Sequence, residues 1–151
     1  HELRYTRDAI TWVRENIEGS PTTIEAIGDS YRSLGSRIAI NTGLPTVSGW
    51  RFHQTQQRKK FEHTTVDTRD ADVNEFYRTE DVGLARAIIK EYDVEWVIVG
   101  DEEAFNYPAE GLAKFQSGLG GLLELAYENP AIRIFHVIPD DELADASASA
   151  R

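Results

Sequence analysis

The chain has 151 residues, 40% of them hydrophobic, 28% charged and 10% aromatic, which suits one domain able to bury a proper core. A net charge of -10 excludes a general nucleic-acid binder, which needs a basic face, and no apolar run approaches a membrane span. There is no Cys, which excludes disulfides, thiolate catalysis and Cys-ligated metal centres. There is also no Met and no signal peptide, so a chain starting at His1 is expected to be a fragment or a processed product.

Residues 5–18 are predicted to form an amphipathic helix, with Ala9, Trp12, Val13 and Ile17 on one face and Gly19-Ser20-Pro21 stopping it. Residues 22–27 are short and β-branched, as in a buried strand, and 28–35 read as a loop. A second strand is expected over 37–41, then a Gly/Pro turn over 42–49 and a polar, helix-compatible stretch over 53–62. Val73, Phe76 and Tyr77 share the inner face of a short helix at 70–77. Thr79 is the expected N-cap of the next helix, with Glu80 and Asp81 in its first turn and Val82, Ala85, Ile89 and Tyr92 on its buried face.

Residues 94–99 are apolar at nearly every position, the pattern of a strand buried on both faces. Gly100-Asp101-Glu102-Glu103 then stands at its carboxyl end, where open α/β sheets often bind ligands, and a plain acidic loop explains it equally well. A short helix over 109–116 precedes a hairpin of 122–127 and 132–138, turned by Glu128-Asn129-Pro130-Ala131. Residues 140–151 are rich in Ala, Ser and Asp, as in a disordered tail or a cloning remnant. The fold class expected is α/β: a single layered domain, a mixed β-sheet with flanking helices and a C-terminal β-hairpin.

Residues 43–58 are the most distinctive segment for function. Turn residues, one Trp, one His, amides and cations gather there in an otherwise acidic chain, and polar groups on irregular backbone often carry function. Arg51, Arg58, Lys59 and Lys60 face a single acid, Glu62, between positions 51 and 63. A solvated basic helix face explains that run; so does contact with a phosphate or anionic headgroup, beside a Trp50 that lies on a sugar or apolar face. His53, Gln54, Gln56 and Gln57 add hydrogen bonders suited to hydroxyl-rich ligands.

Other motifs say less. Ile27-Gly28-Asp29-Ser30 resembles the nucleophile block of GDS-type serine hydrolases, but no Asp-x-x-His lies near the C-terminus, and His136 among Ile134, Phe135 and Val137 reads as structural. His53, Glu62, His63 and Asp67 lack the spacing of a helical zinc pair, so no metal and no cofactor is expected. Glu25 falls on a predicted buried strand and needs a partner, for which Arg37 and Arg69 are the candidates; that makes it either a candidate acid or base or, as the stronger expectation, half of a structural ion pair.

Read in order, Trp12 to Pro21, Ile24-Glu25-Ala26 with Gly28 and Tyr31, Ser36-Arg37-Ile38, Thr42-Gly43-Leu44-Pro45-Thr46 and Gly49-Trp50 form a recognisable series. It continues through His53, Gln56, Arg58, Asp72-Val73, Tyr77, Tyr92, Val94, Val99-Gly100, Tyr107, Gly111-Leu112 and Lys114-Phe115. Over residues 9–138 the chain resembles membrane proteins of the YYY type, a family of unknown function from archaea and Chloroflexi with glycosyltransferase-C-like architecture. The resemblance implies a soluble extracytoplasmic domain (residues 1–138, with an acidic tail at 139–151) of a polytopic parent at the cell membrane. The catalytic acid of such enzymes usually lies on an early loop between membrane helices, absent here, while the soluble part helps to bind the acceptor. Expected partners are therefore the membrane-embedded part of the parent and a glycan or polyprenyl-phosphate-linked sugar, with no nucleic acid. Trp50, Arg51, His53, Gln56, Arg58, Lys59, Glu25 and Arg37 are the candidate ligand-binding residues. Similar sequences carry Glu after the His where this chain has Gln54, and an amide is no proton-transfer group.

Overall fold

A computed structural model describes residues 3–28, 34–49, 63–140 and 142–143. In chain order they form α1 (Leu3–Asn16), β1 (Thr22–Ile24), α2 (Arg37–Thr42), α3 (His63–Arg78), α4 (Val82–Glu91), β2 (Val94–Gly100), α5 (Asp101–Asn106), α6 (Ala109–Ala113), a 3-10 turn (Lys114–Ser117), β3 (Leu123–Glu128) and β4 (Ile132–Val137). The sheet order is β1-β2-β4-β3, with β1 parallel to β2 and the other pairs antiparallel. This is the α/β domain with a mixed sheet and C-terminal hairpin that the sequence pattern implies.

The central strand β2 divides the core in two. Val97 and Val99 face a larger cluster with Val73, Phe76 and Tyr77 of α3 and Ala85, Ile88 and Ile89 of α4. Ile98 faces a smaller one with Ala9 and Val13 of α1, Ile38 of α2 and Ile132 and Ile134 of β4. Each buried aliphatic side chain contributes about 1.5–3 kcal/mol, so a strand apolar on both faces ties the two helical layers together. α1 follows the 3.6-residue spacing of its apolar positions, and the chain leaves it through Gly19 at φ 77.

Three expectations give way to tertiary contacts. Residues 37–41 are not a strand but lie in helix α2. Ile38 and Ile40 suit either state. The Glu25 carboxylate decides by taking the N–H groups of Ile38 and Ala39, and Gly43 caps the other end in a left-handed conformation. The N-cap of α4 is Asp81, not Thr79: its carboxylate accepts from Gly83 N and Leu84 N at 2.7 and 3.2 Å, while the Thr79 hydroxyl accepts from Asp81 N. β1 ends at Ile24, short of the expected 22–27, because the chain turns away to bring Glu25 under α2.

α3 starts at His63, earlier than expected, and 109–116 splits into α6 and the 3-10 turn. Gly111 makes that packing possible, since a Cβ there would lie 2.5 Å from the Tyr77 carbonyl oxygen. Beside it the buried Lys114 ammonium donates to the carbonyls of Tyr77, Thr79 and Gly111 and lies 4.5 Å above the Phe115 ring. Burial lowers its pKa to about 8, so it remains mostly charged at neutrality and caps the end of α3. Leu143 packs on the larger core; residues 144–151 and the helix-compatible 53–62 lie outside the described residues.

Candidate functional site

β1 ends opposite Val97 of the parallel strand β2, and a buried ionic cluster ties the residues that follow it to the carboxyl end of β2. Glu25 directly follows β1 and is 0% exposed; its two oxygens accept from Ile38 N at 3.0 Å and Ala39 N at 2.8 Å. Glu103, also 0% exposed, is the third residue of α5, which starts where β2 stops. One of its oxygens accepts from Gly100 N at 2.7 Å and the other from Ala26 N at 2.9 Å, so one carboxylate joins the two strand ends. Arg37, 2% exposed, clasps the same carboxylate with both terminal nitrogens at 2.9 and 3.4 Å and lies 3.9 Å from Asp101.

Electrostatics follow from two buried carboxylates sharing one guanidinium. Burial pushes Glu25 up to about 7, against the pull of its two backbone N–H donors and of nearby Arg37. Burial works against the charge on Arg37, and the Glu103 carboxylate more than offsets it, so its pKa is raised. Beneath the cluster Tyr77 directs its hydroxyl at the carbonyls of Ile24 (3.0 Å) and Ile98 (2.7 Å), pinning β1 to β2, and stacks on Tyr107 at 4.9 Å. Burial raises the pKa of both phenols, Tyr107 to about 12, and keeps them neutral.

The loop leaving this cluster returns to it. Ser36 N donates to the Ala26 carbonyl, and a Cβ on Gly35 would lie 2.0 Å from Gly28 N, so both ends of the excursion meet at one point. Ser30 of the hydrolase-like tripeptide lies in the part of it outside the described residues. Ser36 Oγ and Arg37 Nε are buried without a hydrogen-bond partner among the described residues.

The first half of segment 43–58 is built into the sheet. Thr23 N donates to the Pro45 carbonyl at 2.8 Å and Val47 N to the Thr23 carbonyl at 3.0 Å, so residues 45–47 run parallel along the outer edge of β1. Val47 and Ser48 are buried, and the Ser48 hydroxyl donates to the buried Asp70 carboxylate of α3. Trp50, Arg51, His53, Gln56, Arg58 and Lys59 all lie outside the described residues, which stop at Gly49 and resume at His63. Of the sequence candidates, Glu25 and Arg37 are thus brought into one cluster. The bonded partner of Glu25 is the α2 backbone, not Arg37 or Arg69; Arg69 instead lies over the Tyr92 ring and reaches the Val47 carbonyl.

Sequence reasoning missed Glu103 as the partner of Arg37 and Tyr77 as the pin between the strands. Glu103 carries a readable signal: it stands three residues after Gly100, the spacing at which a Glu reaches back to the backbone N–H that precedes a helix. Among the described residues no three acidic or His side chains gather as a metal site, and no helix is long and apolar enough to cross a membrane.

No family model matches the chain, and no curated protein does. A solved structure does: the C-terminal globular domain of the oligosaccharyltransferase from Archaeoglobus fulgidus matches with a TM-score of 0.55 over 87% of this chain and 95% of that one. The two share a fold. At 14% identity the likeness reaches no further than architecture, and the resemblance to YYY-type proteins rests on the residues quoted for it. What the geometry itself says is that the buried charges at the strand ends are occupied with one another and with backbone, in a cluster that fixes where the chain leaves β1.

Proposed function

We propose that this chain is an extracytoplasmic domain of a membrane-embedded, glycosyltransferase-like protein. It contacts a glycan or polyprenyl-phosphate-linked sugar and leaves the chemistry to the rest of its parent. The carrying observation is the ionic cluster of Glu25, Arg37 and Glu103, whose buried carboxylates are engaged by backbone N–H groups and one guanidinium. A group spent on holding α2 and two strand ends is a support, not a general acid or base. The fold shared with an oligosaccharyltransferase domain supports the same reading.

In this reading the support presents the segment that begins at Trp50. Trp50 stacks on a sugar face, His53 and Gln56 bond hydroxyls, and Arg51, Arg58 and Lys59 meet phosphate. Ligand-detected NMR with sugars and phosphorylated prenyl head groups tests it: saturable binding should weaken about tenfold in Trp50→Ala and in Arg58→Ala, as expected for loss of a stacked ring or a charge-assisted bond. Binding untouched by both substitutions would reject it. Sugar transfer or ester hydrolysis by this chain alone would reject the non-catalytic reading, and ester hydrolysis lost in Ser30→Ala would turn the assignment to a GDS-type hydrolase.

A second reading has its own observation. Phe105 on α5 is 85% exposed and Ile40 on α2 is 51% exposed, and both helices adjoin the ionic cluster. In that reading the same end of the sheet packs on the membrane-embedded part of the parent as an interaction module.

A further inference from the structure

A second, independent group of side chains lies on the α1 side of the sheet. Trp96 of β2 and His136 of β4 are register partners, with ring centroids 4.7 Å apart. Trp12 of α1 meets Trp96 edge-on at 6.0 Å and lies over Tyr127 of β3 at 5.2 Å. All four rings are part-exposed. Glu124 of β3 is the register partner of His136 on the same face and is exposed.

An aromatic seam sealed inside the core would place each indole N–H on a protein partner, whereas a part-exposed one leaves its N–H groups to water or a ligand. Among the described residues neither the Trp12 nor the Trp96 indole N–H has a protein partner, and the same is true of both His136 ring nitrogens and of the Glu124 carboxylate. None of these atoms is sealed from solvent either, since the buried unpartnered side-chain atoms are those of Ser36, Arg37 and Thr46. The surface therefore combines ring area with open donors and acceptors: two indole N–H groups, an imidazole with one of each when neutral, and a carboxylate that accepts only.

We infer that Trp12, Trp96, His136 and Glu124 form a carbohydrate-contact shelf, where a pyranose lays its C–H face on the rings and bonds its hydroxyls to the imidazole and carboxylate. Aliphatic ligands would leave the open polar atoms unsatisfied, and a phosphate would meet the Glu124 charge; a neutral polyhydroxylated ring satisfies both constraints. The choice of ligand class leans on the glycan reading above, while the site is separate from residues 50–59 and is tested separately.

The test is a 15N NMR titration of the full chain with cellobiose, chitobiose and mannobiose in turn, to about 50 mM, a range that captures binding by one stacked ring and a few hydrogen bonds. The three indole signals are assigned with Trp12→Phe and Trp96→Phe. The Trp12 and Trp96 indole signals should shift saturably with at least one sugar. Glu124→Ala, at an exposed side chain, should weaken that binding about fivefold, the worth of one hydrogen bond, and His136→Ala, which also removes the ring packed on Trp96, should weaken it at least as much. Shifts confined to the Trp50 indole would overturn the shelf while leaving the reading of residues 50–59 standing. No shift at Trp12 and Trp96, or shifts unchanged in both variants, would overturn it as well.

Discussion

Replacing Glu25 by Gln should change how stability depends on pH, in a direction fixed by the competition inside the cluster. Burial favours the protonated acid, whereas Ile38 N, Ala39 N and Arg37 favour the carboxylate, and the balance puts Glu25 near 7 when folded against 4.5 when free. Below about 4.5 both states hold the proton. Between the two values the folded chain keeps a proton that the unfolded chain has lost, so stability falls as pH rises, by about 1.4 kcal/mol per unit. By about pH 7.5 the loss amounts to about 3 kcal/mol and is complete. Gln cannot ionise, and its NH2 group opposes one of the two N–H donors, so the variant starts less stable by about 1–3 kcal/mol and lacks the slope. Urea unfolding followed by circular dichroism, run on both proteins from pH 4.5 to 8, reads the difference directly. The wild-type advantage should shrink by about 3 kcal/mol across that range. An advantage that grows with pH would show that the donors and Arg37 outweigh burial, and would refute the reasoning.

Other substitutions probe the supports one at a time. Tyr77→Phe removes the hydroxyl shared by the Ile24 and Ile98 carbonyls and should cost about 1–3 kcal/mol, read as a lower Tm by calorimetry. Gly111→Ala drives a Cβ against the Tyr77 and Arg78 carbonyl oxygens and should destabilise by about 1–3 kcal/mol, visible as a lower urea midpoint. In Lys114→Met the apolar stem stays while three carbonyls lose their donor, so stability should fall at pH 7. Because the folded pKa of Lys114 lies below its free value, the wild type should then gain on this variant as pH rises from about 8 to 10.5. Glu103→Gln takes from the buried Arg37 its bonded carboxylate, leaving the more distant Asp101 and Glu25, and should be the most damaging of these changes, about 3–5 kcal/mol by chemical unfolding.

The parts of the fold legible in the sequence are those where local pattern and tertiary demand agree. Residues 94–99 read as a doubly buried strand because Val97 and Val99 meet one layer of helices and Ile98 the other. The hairpin was legible from Asn129 and Pro130 between two alternating runs, and Asn129 does hold the turn, its side-chain oxygen accepting from Ala131 N and Ile132 N. α2 was not legible, since nothing within Arg37–Thr42 says that a carboxylate twelve residues before Arg37 will take its first free N–H groups. The site was legible in the same uneven way. Glu25 and Arg37 stood out as charges on apolar segments, but their partners come from α2 backbone and from Glu103, a pairing that only the sheet order brings together. Residues 43–49 announced themselves through Gly and Pro, and that composition encodes an edge pairing along β1 and a cap for α2.

In the proposed function the chain presents residues 50–59 to a sugar-bearing ligand from a support that does no chemistry. Amide chemical-shift mapping on a 15N-labelled chain, titrated with a short-chain prenyl-phosphate sugar, tests it most directly. Saturable shifts are expected at residues 50–59, with Glu25, Arg37 and Glu103 little moved and the ligand recovered intact. Absence of shifts at 50–59, or turnover of the ligand with shifts centred on the Glu25–Arg37–Glu103 cluster, would contradict it.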